Sequence, residues 1–234
     1  NEKGGIQLHH AVEGFGKLEF ATTSMEQVLD GAEIVMMVLP SLYHEAMAKQ
    51  MVPFLKDGMT VLLHPESSCG AISFRKVMDD LGCKARIVLG AAGTLLYSVR
   101  IQTPGDVYVF GIKSEVPMAA LPASDNDKLA AAIRPVLPWF VLVENTLKTS
   151  LGNINAMMHP APMLLNTSRI EADPFVPFQY YWEGMTPSIG KYVEAMDAER
   201  IAVANALGLE LRTIREDYVA MYRCGDKDTP LYQL

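Results

Sequence analysis

From residue 24 to about residue 92, short apolar runs alternate with segments of helical spacing, and this alternation leaves few folds open. "TSMEQVLDGAE" offers a Ser or Thr cap, a short amphipathic helix and a glycine stop. "IVMMVLP" is a continuous apolar run closed by Pro40, the pattern of a strand buried on both faces of a sheet. In "SLYHEAMAKQMVPFLKDG", Met47, Met51, Phe54 and Leu55 recur as they would along one helix face, and "MTVLLHP" is a second buried strand. "GAISFRKVMDDLG" predicts another helix with a C-terminal glycine, and "KARIVLGAA" a third strand. Strands separated by helices of this length need crossover connections, hence a parallel sheet with right-handed βαβ units. "DVYVFGIKSE" adds a strand, "ASDNDKLAAAIRPVL" a helix and "WFVLVEN" a final edge strand. The predicted class is α/β, a Rossmann-like doubly wound parallel sheet.

After Leu147 the strand signals thin out. "PSIGKYVEAMDAERIAVANALG" is a strongly periodic helix with Ile189, Val193, Met196, Val203 and Leu207 on one face, interrupted by Arg200. The expected organisation is a Rossmann-like dinucleotide-binding domain over 1–147 and an all-helical substrate and catalytic domain over 148–234, sharing a helix and a cleft. Both ends look open. "NEKGGIQLHH" reads as a turn and a polar strand, not as the buried strand that usually opens such a domain. The only approach to a GxGxxG turn is Gly14-Phe15-Gly16, which has Glu19 at the third glycine position and neither a buried strand before it nor a helix after it. It reads as a solvated loop. The first βαβ unit is therefore expected upstream of Asn1, and "CGDKDTPLYQL" reads as a loop leading onward.

A net charge of −7 leaves no surplus of Lys and Arg to neutralise phosphates, which argues against a nucleic-acid or acidic-membrane partner. The three cysteines, Cys69, Cys83 and Cys224, have neither disulfide-framework nor zinc-site spacing, so no metal is expected and a reducing cytoplasm is the natural compartment. No apolar run approaches the roughly 20 residues of a membrane span, and the N-terminus lacks the order of a signal peptide.

Open parallel sheets bind ligands beyond the carboxyl ends of their strands. Those ends are marked here by Leu39, Pro40 and Ser41, by His64, Pro65 and Glu66, and by Ala91 to Thr94. Proline and glycine also simply stop strands. Three such ends in register favour a nucleotide crevice, with Leu39, Pro40, Ser41 and Pro65 as cofactor-lining candidates. In the helical half, "GNINAMMHPAPMLLNTSRIE" places His159 one helical turn after Asn155. A histidine beside proline is commonly a turn or core residue, but it also titrates near neutrality, as proton transfer beside a hydride requires.

"GAEIVMMVLPSLYHEAMAKQMVPFLKDGMTVLLHPES", "TLLYSVR", "NTLKTSLGNINAMMHPAPMLLNTSRIE" and "YYWEGMTPSIGKYVEAMDAERIAVANALG" together resemble the octopine/nopaline (opine) dehydrogenase family, in order and over nearly the whole chain. The most specific element is Asn155-x-x-x-His159-Pro160, followed by Leu164 to Asn166 and Asp197 to Arg200. The resemblance implies a Rossmann-like NAD or NADP domain joined to a helical domain, with substrate between them and a homodimer allowed. It implies NAD(P)H-dependent reduction of the imine formed between an α-keto acid and an amino acid, with His159 as the acid/base residue. Asn155 would orient substrate or the cofactor amide, or else simply bond the backbone. Thr94, in a stretch where Leu96 replaces the family's proline, would bind the keto-acid carboxylate, or else cap a turn. The acidic partner of His159 stays open between Asp197, Asp217 and a residue beyond Leu234. "FVPFQYYWEG" is either a pocket for the amino-acid side chain or core. Two alternatives remain. One is a two-domain reductase of ketopantoate or glycerol-3-phosphate dehydrogenase type, whose catalytic lysine would be Lys191. The other is a non-catalytic nucleotide-binding protein.

Overall fold

The computed structural model describes residues 3–172, 175–222, 224–226 and 228–234; Asn1 and Glu2, at the head of the predicted opening turn, lie outside them. The chain divides into two compact units, Asn1–Ser150 and Leu151–Leu234.

The first unit runs β1 (Gly5–His10), β2 (Gly14–Lys17), α1 (Met25–Leu29), β3 (Ile34–Met37), α2 (His44–Met51), β4 (Thr60–Leu63), α3 (Gly70–Asp80), β5 (Val88–Ala92), β6 (Tyr97–Thr103), β7 (Asp106–Ile112), β8 (Val116–Ala120), α4 (Asn126–Ile133), β9 (Phe140–Leu142) and α5 (Thr146–Leu151). Its main sheet has the order β3-β4-β5-β8-β9. β3, β4 and β5 are parallel, as the alternation of strands and helices requires. Each local signal acts as expected at α1, where Ser24 accepts a hydrogen bond from the Gln27 N–H and Gly31 follows at φ +72°.

β4 is central. Val61 and Leu63 join a core with Leu29, Met51, Phe74 and Leu89, whereas Leu62 points to the other face among Leu96, Met118, Leu129 and Phe140. The sheet is thus covered on both sides, and each of these fully buried side chains contributes about 1.5–3 kcal/mol. Gly90 in β5 is required by close approach, because a Cβ there would lie 2.5 Å from Leu129 Cδ1 of α4.

The structure corrects four expectations. β8 runs antiparallel to β5, so the sheet is mixed. β7, from "DVYVFGIKSE", does not join that sheet. It pairs with β6 and β1 in a second sheet of order β2-β1-β7-β6. Gly14–Lys17 is an exposed strand, paired antiparallel with β1, rather than a loop. β3 lies at the main sheet's edge with Met36 exposed, so it is not buried on both faces.

The second unit contains α6 (Asn155–Met158), α7 (Pro160–Leu165), α8 (Thr167–Ala172), α9 (Pro187–Ala206) and α10 (Ile214–Tyr222), and its described residues form no strand. α9 starts at Thr186, whose side chain accepts from the Ile189 N–H, with Pro187 at the first helical position. Its buried face is Ile189, Val193, Asp197, Arg200 and Ala204. Val203 and Leu207, predicted on that face, are exposed. The buried line continues through a charged pair: Arg200 Nε donates to Asp197 Oδ1 at 2.8 Å, and its two other nitrogens donate to the carbonyls of Leu151 and Arg212. Asp197 Oδ2 accepts from the Ile214 N–H at 2.8 Å and so holds the start of α10.

Candidate functional site

In the first unit the carboxyl ends of β3, β4 and β5 are adjacent, with Met37 opposite Leu63 and Leu63 opposite Ala91. The chain leaves β3 through half-buried Leu39 and exposed Pro40 and Ser41. Buried His44, at the start of α2, ties this turn down by donating from Nε2 to the Leu39 carbonyl at 3.1 Å. Next to it, β4 ends in His64, half-buried Pro65 and fully buried Glu66, whose N–H donates to the Ala92 carbonyl of β5.

Glu66 is the densest polar node. Its carboxylate accepts from the Thr149 hydroxyl, from the Ser150 hydroxyl at 3.0 Å and from the Ala71 N–H at 3.2 Å. Burial pushes its pKa up, and these donors oppose the shift. Ser150 Oγ also accepts from the Cys69 N–H, so α5 is fastened to the loop that starts α3.

His64 and Lys113 clamp the turn that holds Thr94. The Leu96 N–H donates to His64 Nε2 at 2.8 Å, which puts the imidazole proton on Nδ1, and that buried atom has no partner among the described residues. Burial, with the Lys113 charge adding to it, pushes His64 down to about 4, so the ring is neutral at pH 7. The Lys113 N–H donates to the Leu96 carbonyl, and its nearly buried Nζ donates to Thr94 Oγ1 at 2.6 Å. Thr94 thus stands in one cluster with His64 and Lys113, neither of which the sequence reading selected as a site residue. The available signal was a polar residue directly after the apolar end of a strand, in "LLHPE" and again in "FGIKSE".

A cavity of about 500 Å³ lies elsewhere in this unit, lined by Leu29, Pro53, Leu55 and Lys56 at the amino ends of the strands. Ligand sites of open sheets lie at the opposite ends.

In the second unit, His159 links α6 to α7 in helical conformation, and its N–H donates to the Asn155 carbonyl at 3.1 Å. The predicted turn of helix between the two residues is present, and both are exposed. The Tyr180 hydroxyl donates to the carbonyls of Met158 (3.0 Å) and His159 (2.6 Å), and the rings of Tyr180 and Tyr181 lie 5.8 and 6.2 Å from the imidazole. Although His159 is exposed as a residue, its ring is partly desolvated, which holds its pKa below the ordinary value. Asp197 and Asp217 make no contact with His159 among the described residues. Both Asp197 oxygens are committed to Arg200 and Ile214, and Asp217 lies 4.0 Å from Arg212. The aromatic segment is not core, since Phe175 and Trp182 are 93% and 85% exposed. Lys191 is exposed.

Comparison with known proteins agrees with this architecture. Residues 142–234 match the alpha-helical domain of NAD/NADP octopine/nopaline dehydrogenase. The opine dehydrogenase of Arthrobacter sp. (strain 1C) is 36% identical over 215 residues, covering 92% of this chain and 58% of that protein. The structure of octopine dehydrogenase with NADH and L-arginine superposes with a TM-score of 0.73 at 20% identity, over 98% of this chain and 60% of that one. A ketopantoate reductase from Ralstonia eutropha JMP134 gives 0.63 at 18% identity, over 96% and 70%. The class is therefore that of proteins in which a Rossmann-like α/β domain precedes an all-helical one. The chain belongs to the octopine/nopaline (opine) dehydrogenase family, and it spans less than two thirds of the length of the Arthrobacter relative.

Proposed function

We propose that the protein carrying this chain condenses an α-keto acid with an amino acid and reduces the resulting imine with NADH or NADPH. The keto acid, the amine, NAD(P)H and a proton become a secondary amine, NAD(P)⁺ and water. The observation that carries this reading is the 36% identity to an opine dehydrogenase over 92% of the chain.

Residues 1–147 are the cofactor-binding domain and 148–234 the substrate and catalytic domain in this proposal. The exposed turn at Pro40 and Ser41, next to half-buried Leu39 and Pro65, suits a dinucleotide at the carboxyl ends of parallel strands. When bound, the reduced nicotinamide supplies the hydride. His159 exchanges the proton on the reacting oxygen or nitrogen. Its lowered pKa makes the imidazolium a stronger acid and leaves the neutral ring as the resting form near pH 7. Tyr180 positions it by binding the carbonyls on either side of its backbone. Asn155, with its side chain exposed one turn away, orients the amino acid or the carboxamide of the cofactor, and Thr94 takes the keto-acid carboxylate. We place the enzyme in the cytoplasm, as a monomer or homodimer without a nucleic-acid or membrane partner; no helix among the described residues is long and apolar enough to cross a membrane.

The test is NAD(P)H oxidation by the purified protein with keto acid alone, amine alone and both together. The proposal expects turnover only with both. Comparable turnover with keto acid alone would favour a simple 2-keto acid reductase.

A further inference from the structure

We propose that Thr94, backed by Lys113, is a recognition site for an anionic oxygen, and that Lys113 is the positioning residue that makes it one. The inference rests on the reading of Thr94 as a ligand-binding residue and supplies what that reading lacked, a source of charge. An ammonium group only donates, so in the 2.6 Å contact the Thr94 oxygen is the acceptor. The hydroxyl's own proton must then point away from Lys113, and no protein group among the described residues accepts it. Thr94 is half exposed while Lys113 is 8% exposed. The threonine therefore presents a donor to the outside with a cation directly behind it, an arrangement that strengthens a hydrogen bond to a negatively charged oxygen and does less for a neutral one.

The backbone keeps this pair in place. The Lys113 N–H donates to the Leu96 carbonyl and His64 Nε2 accepts from the Leu96 N–H, so the 94–96 turn is pinned through both backbone groups of Leu96. The cluster follows β5, at the strand ends where this class of sheet binds ligands. Two ligand oxygens share the required chemistry: the carboxylate of the keto acid and a phosphate of the dinucleotide.

The experiment measures binding as well as turnover, on the full protein. Pyruvate, its neutral amide and NADH are titrated calorimetrically into the unaltered protein and into Lys113→Met and Thr94→Val. Thr94→Val removes the hydroxyl and with it an acceptor of the nearly buried Lys113 ammonium, so Thr94→Ser, which keeps an oxygen and a proton at that position, is the paired control and should bind as the unaltered protein does. Loss of a charge-assisted hydrogen bond weakens binding about 10- to 100-fold. For a carboxylate site, that loss falls on pyruvate in both variants, spares pyruvamide and NADH, and raises KM for pyruvate far more than it lowers kcat. For a phosphate site, it falls on NADH instead. Unchanged affinity for both anions in Thr94→Val overturns the proposal, as does failure of the unaltered protein to bind either. Binding without condensation would remove the activity reading alone and leave the anion site standing.

Discussion

Replacing Asp197 by Ala should destabilise the helical unit severely. In the native protein the Arg200 and Asp197 side chains are 5% and 4% exposed, and the pair is satisfied on both sides. The substitution leaves a guanidinium in a low-dielectric interior without its counter-charge and deprives the Ile214 N–H, at the start of α10, of its acceptor. Stripping one partner from a buried pair costs about 3–5 kcal/mol. The direct assay is hydrogen exchange in α9 and α10, because stability of a two-unit chain is not one number. At about 1.4 kcal/mol per tenfold, the slowest amides there should open about 10²- to 10⁴-fold more often. The double variant Asp197→Ala with Arg200→Met should recover only part of the loss, because the Leu151 and Arg212 carbonyls lose their donor. A loss below about 1 kcal/mol would mean that the pair behaves like a solvated surface bridge, and the reasoning would fail.

Three further outcomes are expected. Because the folded protein holds His64 near 4 and the unfolded chain near 6.5, the unfolded state binds more protons in that window. The contribution of the neutral ring is full above pH 6.5, declines as pH falls toward 4 and amounts to about 3 kcal/mol; a His64→Gln variant whose urea midpoint shows the same decline between pH 7 and 4 would refute this. Gly90→Ala should cost about 1–3 kcal/mol, since Leu129 and Leu62 are fully buried and have nowhere to move; an unchanged melting temperature would show that the α4 contact is looser than described. Thr186→Ala should remove about 1 kcal/mol through the α9 cap, read as faster exchange at Ile189, and unchanged exchange there would count against the cap.

The parallel core and the carboxyl ends of its strands were legible because local signals and tertiary demand coincide there. Apolar runs of strand length are bounded by Pro40, by His64-Pro65 and by Gly93, and the intervening helices carry caps and glycine stops. β7 was legible as a strand, but β6 and the sheet that β7 joins were not. β6 is largely exposed and β7 fully buries only Val109, so no alternating pattern marks the hairpin, and what fixes β7 is pairing with β1, about a hundred residues away. β8 was hidden because "VPMAA" carries Pro117, which reads as a breaker, although Pro117 pairs with Val141 in register. On α9 the 3.6 period is real, but the apolar residues taken to mark the buried face include two on the solvent side. The buried face continues instead through Asp197 and Arg200, which a pattern of hydrophobicity scores as exterior. The same bias hid Lys113, a charged residue after a strand whose burial only the fold reveals. His159 and Asn155 were legible as a motif, and their helical turn followed from spacing.

The central claim is that His159 carries the proton, and the His159→Asn variant tests it most directly, through the pH dependence of kcat in the reductive direction. On this account the protonated ring of the unaltered protein would be the donor, so the rate should fall as pH rises through a pKa held below the ordinary histidine value, the side to which burial moves it. In His159→Asn, kcat should drop about 10²- to 10⁴-fold and that pH dependence should flatten, with NAD(P)H affinity and melting temperature nearly unchanged. A variant that retains more than about one tenth of the rate, with the pH profile intact, would contradict the account.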